Sequence, residues 1–398
     1  MFIVFFILAA GYLLGRVSVK GIALGTAGVL MFSLGFGILA SYVPFFTIAG
    51  NHIVLYLHSA ITLDDGTALA SSRGVFSLVS SLGTSMFLTA VGLTAGPKFF
   101  RTFNRKSIGY LVMSFVVIAL GTIATIAVIL FSPSYEITPS LAVGLMTGAL
   151  TSTPGLTAAL EVAPSEAEVL AGYGISYLFG VLGVVLFVQI VPKVMKLDIA
   201  KERERFVAAS AIEISDLSRK LISIDSHSFF PFVMAVALGH MLGSVSIPGL
   251  NFSLGAAGGM LISGLVIGHF RHVGPIDCRF DKNTLQFFQE LGLCLFLVGA
   301  GVPGGVGFMS HVQLSHFIYG AIITLLPMSA GFIFGKYVFG MCTFNSLGAV
   351  TGGMTSTPAL SALITVSGTE EVTNAYAATY PLALLCVVLA SRAILSIM

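Results

Sequence analysis

Charge is what this sequence has least of: Asp, Glu, Lys and Arg make up 9% of its 398 residues, while 56% are hydrophobic. A soluble domain carries about 25% charged residues. A chain this poor in charge cannot cover its surface with polar groups, so its solvent is lipid, and a soluble enzyme or binding module is excluded. No basic patch with interleaved aromatics occurs, so nucleic acid is not an expected partner. Cysteine is scarce too. Cys278, Cys294, Cys342 and Cys386 form no C-x-x-C, and three of them lie in apolar stretches. They read as small buried hydrophobes rather than a disulfide framework or a zinc site. Metalloprotease, nucleophile-elbow and phosphate-loop motifs are missing. With no nucleophile–base pair and no cofactor motif, the expectation is a protein without enzymatic activity and without a cofactor. Ala171–Gly174 reads AGYG, but the rest of a potassium-filter string is absent.

What is present is long apolar runs. They lie at about 2–16, 21–40, 75–96, 108–132, 138–160 and 170–192, then again at about 229–247, 250–270, 284–302, 317–340, 343–366 and 374–395. Most approach the roughly 20 residues that a spanning helix needs. The first run lacks a basic n-region and a cleavage site, so it reads as a spanning helix rather than a signal peptide. The second set repeats the first in order. GYLLGRVSVKG from Gly11 matches GHMLGSVSIPG from Gly239, and LGTAGVLMFS from Leu24 matches LGAAGGMLIS from Leu254. LGTSMFLTAVGLTAG from Leu82 matches LGLCLFLVGAGVPGG from Leu291. GALTSTPGLTAAL from Gly148 matches GGMTSTPALSALI from Gly352, and YGISYLFGVLGVVL from Tyr173 matches YAATYPLALLCVVL from Tyr376. The main length difference is an insertion around 41–74. The pairs Gly11/Gly15 and Gly239/Gly243 read as close helix contacts.

Charges in short loops orient the halves. The first half has Arg16 and Lys20 after its first run, and Lys98, Arg101, Arg105 and Lys106 after its third. The matching loops 244–250 and 303–316 hold no Lys or Arg. Conversely, Arg271, Arg279 and Lys282 follow the second run of the second half, where the first half has only Arg73 with Asp64 and Asp65. The same loops thus fall on opposite sides of the bilayer, which is an inverted repeat. The basic loop at 98–106 and the Lys- and Arg-rich linker both lie inside only if one segment between them does not cross. The candidate is 138–160, whose far end carries Glu161, Glu166 and Glu168. The expected fold is an all-α membrane protein of two inverted-topology repeats, with about ten spanning helices plus two re-entrant hairpins. Broken crossing helices are the alternative. Residues 1–192 form membrane repeat one, 193–228 a cytoplasmic linker, and 229–398 membrane repeat two.

The motif that carries chemistry is Thr151-Ser152-Thr153-Pro154, followed by Gly155 and repeated at Thr355-Ser356-Thr357-Pro358. Proline favours the first turn of a helix, and a threonine before it is a good N-cap. Each motif reads as helix, break, new helix start. Irregular backbone at membrane depth persists only where protein or a wet cavity satisfies it. A new helix start offers free N–H groups and the positive end of a dipole. Two such starts, brought together by symmetry, make a donor-rich site for a small anion, with Ser152 and Ser356 placed to refine selectivity. A lone motif of this kind is usually a kink; its recurrence at matching positions favours a substrate site. Tyr173 and Tyr177, and likewise Tyr376 and Tyr380, lie four apart on one helical face. They line the cavity or serve as packing and interface anchors. His240 reads as a core imidazole, Glu290 and Arg392 as residues near helix ends reaching the interface. Carboxylates at mid-membrane are wanting, which fits an exchanger better than a proton pump.

GYLLGRVSVKGIALG, VGLTAGPKFF, GALTSTPGLTAAL, GGMTSTPAL and AYAATYPLALL together resemble the aspartate–alanine exchanger family of membrane antiporters, over nearly the whole chain outside the linker. The resemblance implies two membrane repeats, each T-x-T-P segment in the transport core, and exchange of small amino acids or dicarboxylates. The family's core motif falls on Thr151, Thr153 and Pro154 and on Thr355, Thr357 and Pro358. The chain departs from the family in two places. Many members carry soluble regulatory domains between the halves, where here only 193–228 stands. The first tyrosine helix has Leu178 where the second has Pro381. The expected function is secondary transport by alternating access in the cytoplasmic (inner) cell membrane. The partners are lipid and a small anionic substrate, with a homodimer compatible. The alternative is a passive channel or a non-transporting sensor.

Overall fold

The computed structural model describes the chain apart from residues 20–21, 24, 49–50, 64–66, 100–107, 133–136, 197–221, 223, 226–227, 248–251 and 370. Most of the basic loop after α3 and most of the 193–228 linker therefore lie outside the described residues, as do Asp64 and Asp65. Among the described residues the helices fall into two sets of seven. The first is α1 (Phe2–Gly15), α2 (Ala27–Tyr42), α3 (Arg73–Phe99), α4 (Ile108–Phe131), α5 (Pro139–Ala149), α6 (Thr153–Leu160) and α7 (Glu166–Val194). The second is α8 (Phe229–Gly243), α9 (Gly255–Phe270), α10 (Lys282–His311), α11 (Leu314–Ile333), α12 (Thr343–Gly353), α13 (Thr357–Ser367) and α14 (Val372–Ile397). The insertion holds two small antiparallel hairpins, Phe45–Ile48 with Asn51–Val54 and Ile61–Thr62 with Ala68–Leu69.

Apolar side chains reach the surface in stripes rather than singly. On α4, Ile108, Phe115, Ile123 and Leu130 are exposed. Their spacing of seven or eight places them on one face, while Met113, Val117, Gly121 and Val128 point inward. On α11, Leu314, Ile318, Ile322 and Leu325 form a second stripe. Contiguous apolar faces of this kind are tolerated against lipid, not water. Six helices, α3, α4, α7, α10, α11 and α14, are long and apolar enough to cross a membrane. The expected ten are met in length by these six. The helices α1, α2, α8 and α9 have 14, 16, 15 and 16 residues, and at 1.5 Å per residue they reach about 21–24 Å, short of the roughly 30 Å hydrocarbon core. The shortfall has a local cause. The chain between α1 and α2, and between α8 and α9, turns into a hairpin of two-residue strands, which takes up apolar residues otherwise available to helix.

Packing is paired between the sets. α1 lies on α2 and α8 on α9; α2 lies on α10 and α3 on α9; α5 lies on α7 and α12 on α14. α6 lies on α14 and α13 on α7, so each short helix after a break is held by the long final helix of the other set. The expected glycine contacts occur: a Cβ on Gly28 would stand 2.4 Å from Gly15 Cα, and one on Gly259 would stand 2.7 Å from Gly243 Cα. No side chain fits at such an approach. The largest fully buried side chains include Met146, Leu150, Leu156, Tyr173 and Phe344, gathered around α5, α6, α7 and α12. The two chain breaks are therefore flanked by fully buried side chains, and Ser152 and Ser356 are themselves fully buried.

Candidate functional site

Each break is built the same way. α5 ends at Ala149, and Thr151 takes the left-handed conformation with φ of 52°; α12 ends at Gly353, and Thr355 does the same at 51°. The Thr151 N–H bonds the Gly148 carbonyl and the Ser152 N–H bonds the Thr147 carbonyl. Thr355 and Ser356 repeat this onto Gly352 and Thr351. This is the Schellman closure of a helix end, normally made by glycine. Threonine, branched at Cβ, is strained there by about 1–2 kcal/mol. Strain at two matching positions persists because the site fixes it from outside. The Thr151 hydroxyl donates to the Met354 carbonyl at 2.9 Å, and the Thr355 hydroxyl donates to the Leu150 carbonyl at 2.9 Å. The two breaks thus meet and hold each other.

The new helices start one residue earlier than the sequence indicated. The N-caps are Ser152 and Ser356, not the threonines before proline; Thr153 and Thr357 are the first helical residues. The reason is the extended backbone at the serines, which turns the chain into the helix and leaves proline in the first turn. The Ser152 side chain accepts from the Gly155 N–H at 3.3 Å. Ser356 makes no matching cap, and among the described residues its buried hydroxyl has no partner. Thr153 shares a hydrogen bond with the Tyr173 hydroxyl at 3.3 Å, and Thr357 with the Tyr376 hydroxyl at 3.4 Å. Tyr173 stacks near Tyr177 with centroids 5.0 Å apart, and Tyr376 on Tyr380 at 4.9 Å.

A cavity of about 1470 Å³ runs from these breaks to the loop that carries Arg271, Arg279 and Lys282. Thr151, Thr153, Pro154, Thr355, Thr357, Pro358, Tyr177, Tyr376 and Tyr380 line it. Ser152, Gly155, Ser356 and Tyr173 are buried behind that wall, so of the motif residues the threonines and prolines face the space and the serines support them. Among the described residues the charged lining consists of Arg271, Arg279 and Lys282 against Glu290. The balance is positive, and together with two helix starts it suits an anion. Arg279 bonds the Asp277 carboxylate through three contacts of 2.7–3.0 Å, and this pairing holds Asp277 below the ordinary carboxylate range.

Three expectations about ionisable groups change. His240 is exposed, not a core imidazole, because its side of α8 is unpacked. Glu290 is exposed but lies in the cavity wall. Arg392 does not reach an interface: it is 6% exposed and bonds the Glu161 carboxylate at 2.6 Å. That pair escaped the sequence because its members stand in different halves. Each is the odd residue out when the repeats are aligned, Glu161 facing Thr365 and Arg392 facing Gln189, and that mismatch was the available signal.

A family model described as a predicted permease membrane region matches residues 57–193 and 231–396. Similar full-length proteins are named uncharacterized transporters. One from Bacteroides fragilis is 24% identical, with 98% of this chain and 96% of the relative covered. One from Desulfotalea psychrophila is 21% identical (100% and 97% covered), and one from Rhodopirellula baltica 24% (97% and 97%). The Bacteroides alignment runs over 548 positions against 398 residues here, so that relative carries a long stretch without a counterpart in this chain.

Proposed function

The chain belongs to the aspartate–alanine exchanger family and is a multi-pass membrane transporter; we propose that it is an antiporter of small anionic metabolites, amino acids or dicarboxylates. The observation that carries this reading is the mutual hydrogen bonding of Thr151 and Thr355 at the deep end of a positively lined cavity. Substrate carboxylate meets the starts of α6 and α13, where first-turn N–H groups lack intrahelical partners. Thr153 and Thr357, oriented by Tyr173 and Tyr376, supply hydroxyls, and Tyr177 and Tyr380 shape the sides. Ser152, Gly155, Pro154, Ser356 and Pro358 set the backbone of the two starts.

The reading extends to architecture. Residues 1–192 and 229–398 are inverted membrane repeats joined by a cytoplasmic linker, and α5–α6 and α12–α13 are re-entrant hairpins in the inner cell membrane. The paired packing of the two helix sets and the opposite loop charges support it. The core that holds both breaks moves against a scaffold of α1–α3 and α8–α10.

The test is uptake of labelled L-aspartate into proteoliposomes loaded with L-alanine, L-aspartate, succinate or nothing. Uptake that requires an internal load, and vanishes in the Thr153→Ala, Thr357→Ala double variant while its thermal unfolding stays cooperative, is expected. Uptake that is equally fast into empty vesicles makes the protein a channel. A double variant that transports like the parent removes the site.

A further inference from the structure

The two halves are alike in sequence and unlike in one respect: at one end of the core an ion pair bridges to the start of α9, and at the other the equivalent residues line the cavity. At the bridged end, Glu161 at the close of α6 bonds Arg392 of α14 at 2.6 Å and accepts the Ala257 N–H at the start of α9 at 2.7 Å. Gly255, with φ of 67°, lies directly against the pair; a Cβ there would meet Glu161 Oε2 at 2.0 Å and Arg392 Nη1 at 2.1 Å. The repeat alignment assigns each member a counterpart. Glu161 corresponds to Thr365, Arg392 to Gln189, Gly255 to Gly25 and Ala256 to Thr26. Thr365, Gln189, Gly25 and Thr26 all line the open cavity. Gly25 keeps the same left-handed backbone, φ of 55°, yet among the described residues a Cβ on it would meet nothing within 4 Å. The helices that carry these groups differ accordingly. Thr157 of α6 is buried, while Ser361, its counterpart on α13, is exposed to the cavity.

We propose that Glu161, Arg392 and the start of α9 form a charged latch closing one face of the core. Thr365, Gln189 and the start of α2 are the uncharged counterpart, which closes the opposite face in the alternative conformation. The inference rests on the alternating-access reading but not on the identity of the substrate. Symmetry requires that the contact broken on one side be remade on the other by equivalent positions. An ion pair on one side and neutral groups on the other bias the two states unequally, so the resting protein favours the state with the cavity open toward Arg271 and Lys282. Substrate has to overcome that bias, which lets an empty carrier rest on one side.

The test reads conformation without any substrate. In a chain with Cys278, Cys294, Cys342 and Cys386 replaced by alanine, single reporters Ser361→Cys and Thr157→Cys are labelled with a membrane-impermeant maleimide in purified, reconstituted protein. One variant removes the latch (Glu161→Thr with Arg392→Gln). A second adds a latch to the other side (Thr365→Glu with Gln189→Arg) at positions that already face the cavity, so its fold is not at risk from an emptied core. In both, Ser361→Cys labelling should slow and Thr157→Cys labelling should quicken by at least about threefold, and in the same direction. The proposal is overturned if the added latch leaves both rates unchanged, or if removal speeds both reporters together, as a loosened structure would. A failure of aspartate transport leaves these rates, and the conclusion from them, untouched.

Discussion

Thr151 and Thr355 exchange hydrogen bonds across two chain breaks, each hydroxyl donating to the carbonyl just before the other's break, at 2.9 Å in both cases. The arrangement explains why a β-branched residue occupies a position where glycine is the usual choice. Glycine satisfies the left-handed backbone but has nothing to reach across with. The strain at each threonine is offset by joining two helix ends that come from different halves of the sequence.

A pair of substitutions at Thr151 separates these two roles. Thr151→Gly releases the left-handed strain as it loses the bond, so the net cost should be small, about 1 kcal/mol. Thr151→Val loses the same bond but keeps the strain, for about 2–3 kcal/mol. Thermal unfolding in detergent should rank parent, glycine, then valine. Valine proving the milder change would mean that the left-handed backbone at Thr151 carries no strain, and both variants matching the parent would mean that the hydroxyl does not hold the breaks together.

The serines should behave unequally although their sequences match. Ser152 caps α6, and replacing it with alanine should cost about 1 kcal/mol. Ser356 holds a buried hydroxyl with no partner among the described residues, so Ser356→Ala should be neutral or slightly stabilising, because an unsatisfied polar group is removed from the interior. Equal losses of unfolding temperature in the two variants would contradict the geometry at Ser356.

The positions of the two breaks were readable from the sequence because a short motif recurred in a repeated frame. Proline and serine chemistry is local enough to act through nearest neighbours. The glycine contacts were readable for the same reason. The helix cap was misplaced by one residue, since serine and threonine are both good caps and only the backbone angle at Ser152 decides. The Glu161–Arg392 pair was not legible. Its members are far apart in sequence, each sits near a helix end where a charge needs no explanation, and their meeting depends on how α6 packs on α14. The four short helices were over-extended for a related reason. Apolar strand residues and apolar helix residues look alike in a hydropathy run.

Tyr173 and Tyr376 hold Thr153 and Thr357 through their hydroxyls at 3.3 and 3.4 Å. Tyr173 stands behind the cavity wall, bonded to Thr153 at its surface, whereas Tyr376 also lines the space, so in the proposed site only Tyr376 would touch substrate directly. Tyr173→Phe should therefore weaken substrate affinity by a few-fold, the worth of one neutral hydrogen bond of about 1 kcal/mol. Tyr376→Phe should lose more, because it removes an orienting group and a direct contact together. The comparison is made by Kd from substrate-dependent thermal shifts. Equal effects would place both tyrosines at the same distance from the ligand.

The mouth of the cavity gives the clearest electrostatic prediction, because charge there can be changed in either direction without touching the breaks. Lys282 is exposed at the rim, and Arg279 is paired with Asp277. At about 8 Å in water a unit charge is worth roughly 0.5 kcal/mol to an anion, or about a factor of two in local concentration. Lys282→Gln should raise KM about twofold with kcat unchanged, and Asp277→Asn, which removes the negative charge beside Arg279, should lower it by a similar factor. Both effects should fade as salt rises and the Debye length shortens. The sign with pH follows from the depressed carboxyl of Asp277. Because its folded value lies below the unfolded one, the stability that it contributes is present above the unfolded value and is lost only as pH falls through the folded one. Between pH 5 and 8 Asp277 stays ionised, so the ratio of KM for parent and Asp277→Asn should be flat across that range. A ratio that changes with pH there would show that Arg279 does not hold the carboxylate, and that the charge at the mouth is set by some other group.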